Sequence, residues 1–133
     1  TGRLKLTTTS SWQSPTSSTR VCLARSPDSG LDAKQADGRD RVTGAIRPMD
    51  EYTAEIKRMY VSPPARGTGV ATAILRALEQ AARDAGVRTL LLETGTAQPD
   101  AMRFYEREGY RRIDNFGPYR DEPLSVCYAR DLP

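Results

Sequence analysis

Histidine is absent from this 133-residue chain, and cysteine occurs only twice, as Cys22 and Cys127. Without an imidazole there is no histidine-activated serine or cysteine nucleophile, and the commonest zinc ligand is missing. The two cysteines lie far apart with no metal-ligand spacing, so no metal is expected. Acid–base work is left to Glu, Asp, Tyr, Lys and Cys. No apolar run approaches the roughly 18 residues of a membrane span, and no basic start followed by an apolar stretch suggests secretion. A cytoplasmic location, with no membrane partner, is the default expectation. The chain starts at Thr1 rather than Met, which leaves room for a missing upstream piece. The net charge of +3 comes from basic residues scattered among acids, so no nucleic-acid partner is expected. Length and ordinary hydrophobic content suit one domain, residues 1–133, around a single core.

The first forty residues differ from the rest. Residues 7 to 19, "TTTSSWQSPTSST", disfavour helix and supply little core. They read as an extended or poorly ordered lead-in. "RLKL" at 3 to 6 alternates like a short strand, "VCLAR" at 21 to 25 is a better one, and 26 to 40 reads as a turn-rich loop.

From Val42 the signals sharpen. "VTGAIRP" is a strand ending at Pro48, and "YTAEIKRMYV", 52 to 61, is a longer strand stopped by Pro63 and Pro64. Residues 69 to 85 place Val70, Ala71, Ile74, Leu75, Leu78, Ala81, Ala82 and Ala85 on one helical face, with Glu79 and Arg83 able to pair on the other. Gly86 is the expected stop. "RTLLLET", 88 to 94, is apolar enough for a strand buried on both faces. "PDAMRFYERE", 99 to 108, reads as a short helix with Pro99 in its first turn. "YRRI" and "LSVCYARDL" are final strands. The order predicts an α/β chain, a mixed α+β sheet with a helical crossover between two parallel strands.

Residues 61 to 79, "VSPPARGTGVATAILRALE", raise the sharpest question. A helix start leaves backbone N–H groups unpaired and carries partial positive charge. Gly67 and Gly69 bare that backbone, and Arg66 adds a cation. The loop is either a tight turn or a pyrophosphate cradle. It is neither a P-loop, since no Gly-Lys-Ser/Thr follows, nor a dinucleotide fingerprint, since Thr72 stands where the third glycine belongs.

"AEIKRMYVSPPARGTGVATAIL" and "LLLETGTAQPDAMRFYEREGYRRI" have the form, order and spacing of the GNAT family of N-acetyltransferases. The stretch from about Val42 to Leu132 resembles that family. Its signature Arg/Gln-x-x-Gly-x-Gly/Ala is written here as Arg66, Gly69 and Ala71. The resemblance implies an acyl-CoA N-acyltransferase fold, with a core at 42–133 and an atypical, abbreviated or irregular part at 1–41. It implies acetyl-CoA as co-substrate, with the pyrophosphate on the main-chain N–H groups of Arg66, Gly67, Thr68, Gly69, Val70 and Ala71. The pantetheine arm would pair with the strand edge at Met59, Tyr60 and Val61. Gln98 lies where relatives often carry Asn or Gln near that arm.

The resemblance also proposes catalytic groups. Glu55, six positions before Val61, would be the general base, directly or through water, with Lys57 on its face of the strand. Tyr105 would protonate the departing thiolate and approach the thioester sulfur. Its ordinary alternative is a core aromatic, with Phe104 beside it as the better packer. The main-chain N–H of Met59 or Val61 would polarise the thioester carbonyl. Cys127 reads as a small buried hydrophobe rather than an acyl carrier, so direct attack by a primary amine in a ternary complex is preferred. The acceptor would be a small amine, such as an amino acid or polyamine, or a protein N-terminus or lysine. The family usually begins with a strand and two helices that help form the acceptor site, and nothing before Arg41 reads as those helices. An acceptor wall could come from a neighbouring chain in a homodimer, or from Phe116, Tyr119 and Arg120. The alternative function is a CoA-binding regulatory or partner-binding module with little catalysis.

Overall fold

The computed structural model describes residues 9–26, 30–36 and 42–133. In chain order these form strands β1 (Thr9–Gln13), β2 (Arg20–Arg25), β3 (Leu31–Gln35), β4 (Val42–Pro48) and β5 (Thr53–Val61), then helix α1 (Val70–Asp84). Strand β6 (Thr89–Gly95), helix α2 (Pro99–Arg107), and strands β7 (Arg111–Ile113) and β8 (Ser125–Asp131) complete the order. All described strands join one 8-stranded sheet in the order β1-β2-β3-β4-β5-β6-β8-β7. Among the described strands only β5 and β6 pair in parallel, and α1 is their crossover.

Both helices lie on one face of this sheet. Ile74, Leu75 and Leu78 of α1 are fully buried with Val21, Leu31, Ile46, Leu90 and Leu92. Each such aliphatic side chain contributes roughly 1.5–3 kcal/mol relative to an exposed one. Tyr105 of α2 meets Tyr128 of β8 on the same face, at 6.3 Å between ring centroids.

Several expectations need correction. The Ser/Thr-rich lead-in contains β1, which pairs with β2 in register from Thr9 with Ala24 to Gln13 with Arg20. Trp12 packs against the core, so cross-strand pairing and one aromatic suffice where composition promised little. The loop expected at 26–40 contains β3, whose Leu31, Ala33 and Gln35 are buried while Asp32 and Lys34 are exposed. That is a period-2 strand hidden among turn residues. The "RLKL" strand lies outside the described residues. β6 is not buried on both faces: Leu90 and Leu92 are buried and Leu91 is half-buried, and no α-helix among the described residues covers its side of the sheet. Glu79 does not pair with Arg83 on a solvated face. It is fully buried and accepts from Arg76 Nη1, Arg130 Nη1 and the Tyr110 hydroxyl, at 2.8, 2.9 and 2.7 Å.

Candidate active site

The parallel pairing of β5 with β6 ends at Ile56 with Leu92, although β5 continues to Val61. Residues 57–61 therefore have no strand partner on that side among the described residues. A register shift between Thr43 and Ala45 sets Gly44 of β4 against both Arg58 and Met59 of β5, a β-bulge that bends the strand. Arg58 takes the left-handed φ of 53° there, and its guanidinium meets Asp32 of β3 at 2.7 Å. Gly44 allows the close approach: a Cβ on it would lie 2.8 Å from Met59 Sδ and 3.2 Å from Ile74 and Leu78. The edge expected at Met59, Tyr60 and Val61 is thus present, with Tyr60 exposed and its neighbours half-buried.

The chain leaves this edge through a short 3-10 turn at Pro63–Ala65 and enters α1 with Gly69 at φ 86°. That left-handed conformation favours glycine. Not every amide of the loop is open. Arg66 and Thr68 donate to the carbonyls of Pro63 and Ala65, at 3.2 and 3.3 Å. Val70 donates a long 3.4 Å bond to Thr68 Oγ1. The N–H groups of Gly67, Gly69, Ala71 and Thr72 have no acceptor among the described residues. Thr72 was not anticipated; it belongs to the open set because the first helical bond runs from Ala73 to Gly69. Arg66 is exposed and makes no ion pair among the described residues, and Ser62 Oγ is buried without a hydrogen-bond partner. Open amides, a free guanidinium and an orphaned hydroxyl suit a phosphate-bearing ligand. Gln98 is exposed at the N-cap of α2, just past the end of β6.

Glu55 projects from the sheet face opposite the helices and is only 3% exposed. Its Oε2 accepts from the Tyr119 hydroxyl at 2.9 Å and lies 3.6 Å from Lys57 Nζ; its Oε1 lies 3.5 Å from Arg47 Nη2. Lys57 Nζ also reaches the Tyr119 oxygen, at 3.3 Å. Burial, followed by the bond to Glu55, pushes the Tyr119 phenol up from its ordinary pKa. The loop suspected of lining an acceptor wall does bring Tyr119, stacked edge-on against Phe116, to Glu55. Arg120 is exposed, and no contact joins it to Glu55. Arg47 was missed. Only the register that sets it opposite Glu55 reveals it.

Tyr105 is buried, more deeply than Phe104, so the expected order of the two as packers is reversed. Its ring meets Phe104, Tyr110 and Tyr128 at 5.2, 5.8 and 6.3 Å. The hydroxyls of Tyr110 and Tyr128 are occupied by Glu79 and Glu106, each at 2.7 Å. The Tyr105 hydroxyl has no hydrogen-bond partner among the described residues, and burial pushes its pKa up to about 12. Cys127 is fully buried, and burial raises its thiol pKa, as suits a packing residue.

Comparison with known proteins agrees with this geometry. The family model described as "Acetyltransferase (GNAT) family" matches residues 7–110, so the matched region takes in β1 to β3. An IAA acetyltransferase of Azospirillum brasilense is 41% identical over 78 residues, 59% of this chain and 51% of its own length. The uncharacterized N-acetyltransferase YedL of Escherichia coli is 33% identical over 98 residues, 68% of this chain and 62% of its own length. The chain thus spans about half to three-fifths of these curated relatives. Among solved structures, an inferred acyl-CoA N-acyltransferase from Klebsiella pneumoniae superposes with a TM-score of 0.74 at 36% identity, covering 80% of this chain and 75% of that one. A GNAT acetyltransferase from Elizabethkingia anophelis with acetyl-CoA bound shares the fold, at a TM-score of 0.63 and 17% identity over 86% of this chain and 76% of its own. With the sheet opening, the helix start and the motifs between them in agreement, the chain belongs to the GNAT family of acetyltransferases.

Proposed function

We propose that this protein transfers an acetyl group from acetyl-CoA to a primary amine by direct attack in a ternary complex. The observation that carries this reading is the parting of β5 from β6 directly beside a helix start with open amides. The amides of Gly67, Gly69, Ala71 and Thr72, with Arg66, would hold the pyrophosphate. The unpaired edge at Met59, Tyr60 and Val61 would hold the pantetheine arm by strand-like bonds, with Gln98 near it. Bound there, acetyl-CoA supplies an activated acyl group, and orientation provides much of the acceleration.

Glu55 and Tyr105 stand on opposite faces of the sheet whose strands β5 and β6 part beyond Ile56 and Leu92. Glu55 takes a proton from the acceptor ammonium, directly or through water. The amine nitrogen then forms its bond to the acyl carbon as the carbon–sulfur bond breaks. A main-chain N–H of Met59 or Val61 donates to the carbonyl oxygen as charge develops. The Tyr105 hydroxyl gives its proton to the departing sulfur, and the surplus proton on the acylated nitrogen is lost to solvent, from which the phenolate is reprotonated.

Calorimetry with acetyl-CoA tests the grip, and acceptor-stimulated release of free thiol tests the reaction. Arg66→Ala should weaken cofactor binding about tenfold, as expected for one charge-assisted contact. Unchanged affinity would count against the cradle. A second reading, a CoA-binding module without robust catalysis, draws on the face around Glu55, where the described residues place a loop with one 3-10 turn, Gly117–Tyr119, but no α-helix. Binding without acceptor-stimulated thiol release would favour it.

A further inference from the structure

We infer that the acceptor is a zwitterion, carrying a carboxylate or phosphonate close to the amine that is acetylated. This rests on the transferase reading and narrows the acceptor. The Glu55 side chain is only 5% exposed, whereas Arg47 and Lys57 beside it are 45% and 30% exposed. A molecule approaching Glu55 therefore meets two cations before it meets the carboxylate. Neither cation is tightly spent on Glu55: the contacts are 3.5 and 3.6 Å, against 2.9 Å for the Tyr119 hydroxyl that caps the carboxylate.

The register explains the arrangement. Arg47 stands opposite Glu55 across the β4–β5 pair, and Lys57 follows Glu55 by one full strand period on the same face. The next acid on that face, Glu93 of β6, is paired with Cys127 in register, and its Oε2 accepts from Ser125 Oγ at 2.7 Å. Around Glu55 the carboxylate thus lies inside and its two cations stand at the rim, while the exposed Asp32 on the same face is paired with Arg58 at 2.7 Å. An acceptor ammonium turned toward Glu55 can set its own anion between Arg47 and Lys57, where a guanidinium fork and an ammonium both suit an oxyanion. A polyamine or a lysine side chain brings only positive charge to that rim and is disfavoured.

The test is thiol release by the wild-type protein with acetyl-CoA and matched amines: amino acids, their phosphonate analogues, their carboxamides, their decarboxylated amines, and polyamines. The carboxylate or phosphonate members should exceed their carboxamides and decarboxylated counterparts by tenfold or more in kcat/KM, and the better of the two anions names the source. Arg47→Gln should raise the KM of the preferred acceptor about tenfold with a smaller change in kcat, and Arg47→Lys should recover part of it. Carboxamides or polyamines that matched the zwitterions would overturn the inference while leaving the transferase intact. An Arg47→Gln protein altered in kcat alone would overturn it too. If no amine in the panel stimulated thiol release, the transferase reading would fall first and this one with it.

Discussion

Glu79 and Glu55 are both nearly inaccessible, one at 0% and the other at 3% exposure, yet their surroundings differ in kind. Glu79 sits on the helix-covered face. Both its oxygens accept from Arg76 and from Arg130 at 2.8 to 2.9 Å, and Tyr110 adds a bond at 2.7 Å. Arg76 extends the network to Glu108 at the end of α2, at 3.0 Å. Every lone pair in reach is used, and α1, α2 and β8 are tied together. Glu55 faces the side that α1 and α2 leave uncovered and has one short bond and two long ion pairs. A saturated buried carboxylate specifies packing, whereas one with slack partners is the kind of group we propose takes the substrate proton.

The sharpest way to break this comparison is to truncate both residues. Glu79→Ala leaves two guanidiniums and a phenol without their anion, and should cost about 3–5 kcal/mol in urea unfolding. Glu55→Ala releases partners that can turn to water, and should cost about 1 kcal/mol or less. Equal losses would show that the two sites are energetically alike. Next in size is Glu55→Gln, which keeps volume and removes the proposed base. Thiol release should fall about 100-fold in kcat, at the low end for loss of a general base, with acetyl-CoA affinity unchanged. The matching Glu79→Gln protein should lose stability far more than turnover per folded molecule.

Much of this contrast escaped the sequence for a physical reason. Glu79 and Arg83 have the spacing of a solvated helical pair, and only the strands returning under α1 bring Arg130 and Tyr110 to that glutamate. Arg47 likewise acquires meaning from register, eight residues from Glu55 in the chain but opposite it in the sheet. By contrast, the helix start at Gly69, the crossover and the strand ends were legible, because glycine, proline and periodicity act locally. Strands β1 and β3 lay between these extremes. Leu31, Ala33 and Gln35 do alternate, but turn-forming neighbours masked five residues of strand.

A smaller effect probes the bulge that frees the edge beside Glu55. Gly44→Ala would put a methyl against Met59 Sδ at 2.8 Å and against Ile74 and Leu78 at 3.2 Å. Met59 is flexible and can yield, whereas Ile74 and Leu78 belong to the core. The expected cost is about 1–3 kcal/mol, with acetyl-CoA binding weakened because Met59 lies on the proposed pantetheine edge. Loss of stability with unaltered cofactor affinity would detach the bulge from the site.

The smallest expected effect concerns the other face. Of three clustered tyrosines, Tyr110 and Tyr128 donate to glutamates and Tyr105 does not. Tyr105→Phe removes a hydroxyl with no hydrogen bond to lose among the described residues, so unfolding should barely change. Turnover should fall about tenfold, less than for the proposed base, because a thiolate already leaves readily. The pH profile separates this role from packing. The proton donor must be un-ionised, and burial raises its pKa from 10.0 to about 12, so the phenol stays competent where an exposed tyrosine has begun to ionise. Any alkaline limb due to Tyr105 should therefore lie above pH 10, displaced toward 12. Burial of the same phenol makes stability decline from pH 10 upward, since the unfolded chain ionises there first and the folded one holds its proton until about 12. A Tyr105→Phe protein with full turnover, or a wild-type limb at pH 10 that the substitution abolishes, would assign the proton to a different donor or the phenol to a wetter site.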